Sequence, residues 1–188
     1  AKILENEVRD VEGAQRAIAA AISDDPLESE AQAELERLAG ITGRWASAAD
    51  ALAASLDASA EGKTLSTTNL DAFGEPVTLW IRLAGWRRDR ANDAAGAEVA
   101  LRKAIALDKE SLDALRELEA LLRVSGRERD LVEVLRHRAK LETDPSDKKA
   151  LLREAKEVSQ NTLGDVALAE AALRVLLAEN EADDWALA

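Results

Sequence analysis

The 188-residue chain has no cysteine, no methionine and no tyrosine. Without thiols it holds no disulfide, no thiolate metal site and no cysteine nucleophile. That absence does not choose a compartment, since secreted and cytosolic proteins can both lack cysteine. His137 is the only histidine, flanked by Arg136 and Arg138; with no second imidazole and no thiol it reads as a surface side chain, and no metal site is expected. No apolar run approaches the roughly 18–20 residues of a membrane span, so no membrane insertion is expected. The first residues, AKILENEVRD, lack the basic-then-apolar pattern of a signal peptide. A chain without Met at position 1 is expected to be a mature or excised piece of a longer one.

Aromatic residues make up 3% of a chain that is 47% hydrophobic, with three prolines and nine glycines. Alanine and leucine must therefore supply the packing, and both are strong helix formers. The expected class is all-α. The net charge of −12 is uneven: residues 76–156 carry 18 basic and 15 acidic side chains, the remainder 7 and 22. The acidic ends read as a solvated surface or a patch for a basic partner. No nucleic acid is expected as a partner, because most of this surface would repel phosphate.

The chain also repeats itself. Asp10–Pro26, Asp93–Glu110 and Asp165–Glu181 each open on an aspartate and carry Ala and Leu/Ile at helical spacing. Their starts lie 83 and 72 residues apart, about two helical hairpins each time. At the offset of 83, Gly43 falls on Gly126, Arg44 on Arg127 and Leu52 on Leu135. At 72, Glu98 falls on Glu170 and Leu101 on Leu173. The difference of 11 residues locates an insertion, read as a polar loop over 59–75 within a single repeat domain spanning 1–188. Self-similarity at such a period is the mark of a solenoid.

This register predicts helices near 1–8, 11–23, 27–40, 44–58, 76–90, 94–107, 111–125, 128–142, 147–161, 166–179 and 182–188. Asp10, Asp93 and Asp165 stand where a carboxylate can accept orphan backbone N–H bonds, so they read as caps rather than catalytic acids. Gly43 and Gly126 read as helix ends in left-handed conformation. Leu115, Leu118 and Leu122 form an apolar stripe. Trp45, Trp80 and Trp86 read as core, and Trp185 belongs to a last helix.

Trp80, Leu83 and Ala84, the turn Gly43-Arg44-Trp45, the small residues Ala100, Ala104 and Ala172, and the closing Pro26 and Pro145 together resemble a divergent tetratricopeptide-repeat (TPR) protein. Other helix-pair solenoids, Sel1-like ones included, share these features. Glu119 departs from the pattern, standing where the family has Gly or Ala. The resemblance implies a right-handed α-solenoid of about five antiparallel helical hairpins. It further implies that the first helix of each pair lines a concave groove, placing Ile81, Arg88, Arg116, Arg123, Arg153 and Gln160 inward. Four of the six are arginines, which bind carboxylates bidentately, so an acidic peptide is the expected occupant. The alternative is that these arginines pair with neighbours such as Glu117, Glu119 and Glu154.

The chain has no Gly-rich phosphate loop and no G-x-S-x-G elbow, so no catalytic residue and no cofactor is expected. In the inserted loop, Leu70 and Phe73 are candidates to fold back as a cover. The expected function is a non-enzymatic protein–protein interaction scaffold or adaptor. An accessory or regulatory segment of a larger enzyme or signalling protein is the alternative. A third reading is a structural subunit that joins adjacent repeats or copies of itself through open ends.

Overall fold

Short, capped, Ala/Leu-rich segments bury their apolar atoms in one way, helix against helix. The structure, a computed structural model, describes residues 10–60 and 74–179. Among them are nine α-helices and no strand. The chain divides between Lys109 and Glu110 into two compact units.

The first unit contains α1 (Val11–Asp24), α2 (Ser29–Thr42), α3 (Trp45–Ala60), α4 (Gly74–Asp89) and α5 (Ala94–Leu107). Consecutive helices pack together, and α1 also meets α3. Ile22, Leu35, Leu38, Leu52, Leu83 and Leu101 are sealed from solvent in its core. Each such side chain contributes about 1.5–3 kcal/mol by leaving water. Trp80 and Trp86 are buried as expected. Trp45 is only half-buried, its ring meeting Trp86 edge-on with centroids 5.7 Å apart. Ser59, Ala60, Gly74 and Glu75, read from the sequence as part of the inserted loop, are helical. The rest of that insertion, with Leu70 and Phe73, lies outside the described residues. So do the expected helices at 1–8 and 182–188, and Trp185.

The second unit contains α6 (Leu112–Ser125), α7 (Glu128–Leu141), α8 (Pro145–Glu157) and α9 (Val166–Glu179). Again consecutive helices pack. The leucine stripe of α6 is buried together with Leu131, Val132 and Leu135 of α7. Sequence periodicity gave one helix through residue 161; instead α8 ends at Glu157 and a π-helical turn, Val158–Thr162, follows. That turn buries Ser159, whose hydroxyl donates to the Ala155 carbonyl at 2.7 Å.

Local geometry repeats at both sequence offsets. Asp10, Asp93 and Asp165 accept from the backbone N–H three residues on, at 2.7, 2.8 and 3.1 Å. Gly43 and Gly126 close α2 and α6 at φ +70° and +62°. One residue earlier, Thr42 and Ser125 each donate to the carbonyl four residues back, both at 2.8 Å. Asp25 and Asp108 end α1 and α5 with the same extended backbone. These helix ends thus share local geometry at the sequence offsets.

Polar links also join each helix to one two places along the chain. In the first unit Glu12 of α1 pairs with Arg44 at the head of α3 at 2.7 Å. Arg82 of α4 donates to Gln32 of α2 at 3.2 Å. Lys103 of α5 pairs with Asp57 of α3 while its ammonium lies 4.6 Å from the Trp80 ring centroid. In the second unit Arg123 of α6 pairs with Glu154 of α8, and Arg129 of α7 with Asp165 at the head of α9. Alternate helices are thus joined by side-chain links, and α1 also packs against α3.

Candidate binding surfaces

The six residues assigned to a groove fall in both units, and each is taken in its own. In the first unit Ile81 is half-buried on α4. Arg88, near the end of that helix, holds Asp89 through two N–H bonds of 2.7 and 3.1 Å. Those bonds keep the Asp89 carboxyl below its ordinary range, with the charges of Arg88 and Arg90 adding to the effect and partial burial opposing it. Its neighbour Arg87 reaches both Asp50 of α3 at 2.7 Å and the cap Asp93 at 2.8 Å. Arg87 thus links α4 to α3 and to the head of α5.

In the second unit Arg116 is exposed on α6, its guanidinium 3.5 Å from Asp113. Arg123 is bidentate to Glu154, and its Nη2 also donates to Glu119 at 2.7 Å. These bonds to Glu154 and Glu119 push its pKa up. Glu119 is buried and accepts a further bond from Arg138 of α7. Four charged groups on three helices thus close a network around Glu119. Arg153 of α8 is half-buried, and Gln160 is exposed in the π-helical turn. Arg88, Arg116 and Arg123 each meet a carboxylate of the chain itself.

A second polar surface was not evident from residue patterns. Between α1, Leu35 of α2 and the start of α3 lies a notch of about 40 Å³, lined by Glu12, Gln15, Arg16, Arg44 and Ser47. Gln15 occupies a helix position with alanines around it and is 4% exposed. Its carbonyl oxygen lies 2.9 Å from the Thr42 hydroxyl, whose single proton it shares with the Leu38 carbonyl, and its amide donates to the Arg44 carbonyl at 3.3 Å. The only sequence signal for it is a polar residue placed among apolar ones on a helix.

Among the described residues no three His, Cys, Asp or Glu side chains are grouped to hold a metal ion. No described helix is long and apolar enough to cross a membrane. Compared with protein-family models and with curated proteins, the chain matches neither a family nor a relative.

Proposed function

We propose that this chain is a non-enzymatic protein–protein interaction scaffold, built as a right-handed, TPR-like α-solenoid of about five helical pairs. The observation that carries the reading is the set of links between alternate helices, above all Glu12 to Arg44 and Arg123 to Glu154. Links of that kind follow when helical pairs stack in series, each pair touching its neighbours and leaving long helix faces to solvent. Such a stack offers surface and has no central cleft in which to assemble reacting groups.

The partner is a peptide or protein segment, acidic where it meets the arginines. Each within its own unit, Arg88 and Arg116 are the residues to carry such a contact, since the Arg88–Asp89 and Arg116–Asp113 pairs are surface pairs worth about 0–1 kcal/mol. Arg123 belongs to the fold, because two carboxylates already hold it. Panning a random peptide library on the immobilised chain tests the reading. Acid-rich sequences should be enriched and should be lost with R88E and R116E in a chain whose helical circular dichroism is unchanged. Absence of any enriched sequence would reject it.

A further inference from the structure

The arginines of α7 are held by carboxylates of the chain, with one exception. Arg127, at its head, pairs with Asp130, Arg129 with Asp165 and Arg138 with Glu119. Arg136 stands apart. Among the described residues its side chain meets no acceptor, and neither does that of Lys140, one turn further on. The Arg136 Nε is sealed from solvent without a hydrogen-bond partner, although the residue as a whole is only half-buried. Arg138 and Arg153 also have an unpartnered Nε, yet both side chains are engaged elsewhere. A guanidinium has five N–H donors and no acceptor of its own. Sinking it part-way into the protein with no carboxylate opposite is unfavourable, and such a group calls for an anion from outside.

Helix register gathers the unpaired groups on one face. Arg129, Arg136 and Lys140 follow at spacings of seven and four residues, two turns and one turn. His137, half-buried beside Arg136, adds an imidazole N–H. Leu135 and Ala139 between them are sealed in the core, and Arg138 is turned the other way, toward Glu119 of α6. The acids of α7 nearest this face are Glu133, which is exposed, and Asp130, which Arg127 already holds.

We infer that this face of α7 is a docking surface for an acidic protein segment, one carboxylate binding the Nη groups of Arg136 and a second binding Lys140. Charge complementarity selects the occupant, since an arginine and a lysine stand here without a counter-charge in a chain of net charge −12. Spacing agrees with it. Side chains four residues apart on a helix have Cβ atoms about 5–6 Å apart, and alternate side chains of an extended segment lie about 6.7 Å apart on one side. The inference rests on the scaffold reading and adds to it a surface in the second unit, separate from Arg116. Two cations hold a peptide too weakly to survive the washes of library panning, so titration is the measurement.

The test follows signals of the ¹⁵N-labelled full chain while a blocked peptide of alternating Glu and Ala is added. The Arg136 Nε–H, shielded from exchange by burial, and the Lys140 backbone amide should shift saturably. The peptide with Gln in place of Glu should leave them unmoved. R136Q should weaken binding about tenfold, the loss of one charge-assisted forked contact. R136K keeps the charge without the fork and should recover only part of that loss. K140A should weaken binding several-fold, and E133Q, which removes a repelling acid, should tighten it about twofold; these two exposed positions decide the matter if R136Q lowers the helical circular dichroism. R88E and R116E should leave the α7 shifts in place. Shifts confined to the surroundings of Arg88 and Arg116 would overturn the α7 surface while leaving the scaffold reading intact. No shift anywhere, together with an unenriched peptide library, would overturn both. Inorganic phosphate binding at Arg136 as tightly as the peptide would overturn the assignment to a protein segment.

Discussion

Asn92 and Gly164, 72 residues apart, occupy the same place in two copies of one turn. Both have positive φ, +54° and +64°. Around Asn92, the Ala91 N–H donates to Trp86 at 3.0 Å and the Asp93 N–H to Arg87 at 2.8 Å. Around Gly164 the same two bonds run from Leu163 to Val158 and from Asp165 to Ser159, at 3.1 and 2.9 Å. In each case the turn delivers an aspartate to cap the next helix. The left-handed conformation costs an ordinary L residue about 1–2 kcal/mol, and asparagine and glycine least. Gly164→Ala and Asn92→Ala should each destabilise by about 1 kcal/mol. Asn92→Gly should lie close to wild type, because relief of strain is offset by a more flexible unfolded chain. Denaturant midpoints of the three variants check the order.

Glu119 gives a second expectation. Its carboxylate faces Arg123 and Arg138, and the Arg138 side chain is 14% exposed. Removing one partner of a nearly buried pair leaves the other charge uncompensated, at a cost of about 3 kcal/mol. Glu119→Ala should therefore lower stability by about that amount, whereas Arg116→Ala, whose pair with Asp113 is exposed, should cost well under about 1 kcal/mol. The double variant Glu119→Ala/Arg138→Met should recover most of the loss. A loss that persisted in the double variant would assign the effect to packing.

What could be read from the sequence was the part governed by near neighbours in the chain. The caps at Asp10, Asp93 and Asp165 and the glycine ends at Gly43 and Gly126 depend on a few adjacent residues, so spacing sufficed. The buried stripe of α6 followed from leucine periodicity. The left-handed Asn92 was less visible, because asparagine is tolerated in many conformations; only its register with Gly164 gives it away. The π-helical turn after Glu157 has no residue signature of its own. Long-range pairing was the larger gap. The Glu119–Arg123 spacing of four residues is legible on one helix and Glu154 was among the neighbours weighed for these arginines, but Arg138 joins them only through packing. The polar notch was illegible for the same reason, since Gln15 and Arg44 are 29 residues apart.

Gly85 offers a test of the interior of α4. It lies within Gly74–Asp89, its φ is not positive, and a Cβ built on it meets no atom within 4 Å. Glycine there costs about 0.5–1 kcal/mol relative to alanine through backbone entropy alone. Gly85→Ala should stabilise by that amount, read as a higher midpoint in thermal and chemical unfolding. Gly43→Ala at φ +70°, which also has open space around it, should do the opposite. The pair separates conformational cost from steric fit.

Asp93 makes stability depend on acid in a defined direction. Its carboxylate accepts the Gly96 N–H and, after that, the Arg87 guanidinium, and these hold its pKa below the ordinary value of 3.8 despite some desolvation. A carboxyl whose folded pKa is depressed binds its proton more readily in the unfolded chain. Its contribution is therefore complete above about pH 4 and is lost as pH falls through the lower folded value. Asp93→Asn keeps an acceptor for Gly96 but removes the charge that Arg87 faces. The variant should be less stable than wild type at neutral pH, and the gap between the two should narrow steadily below about pH 4. Equilibrium unfolding of both proteins across pH 2–7 measures that gap, and a difference that stayed constant with acid would show that the cap acts through geometry alone.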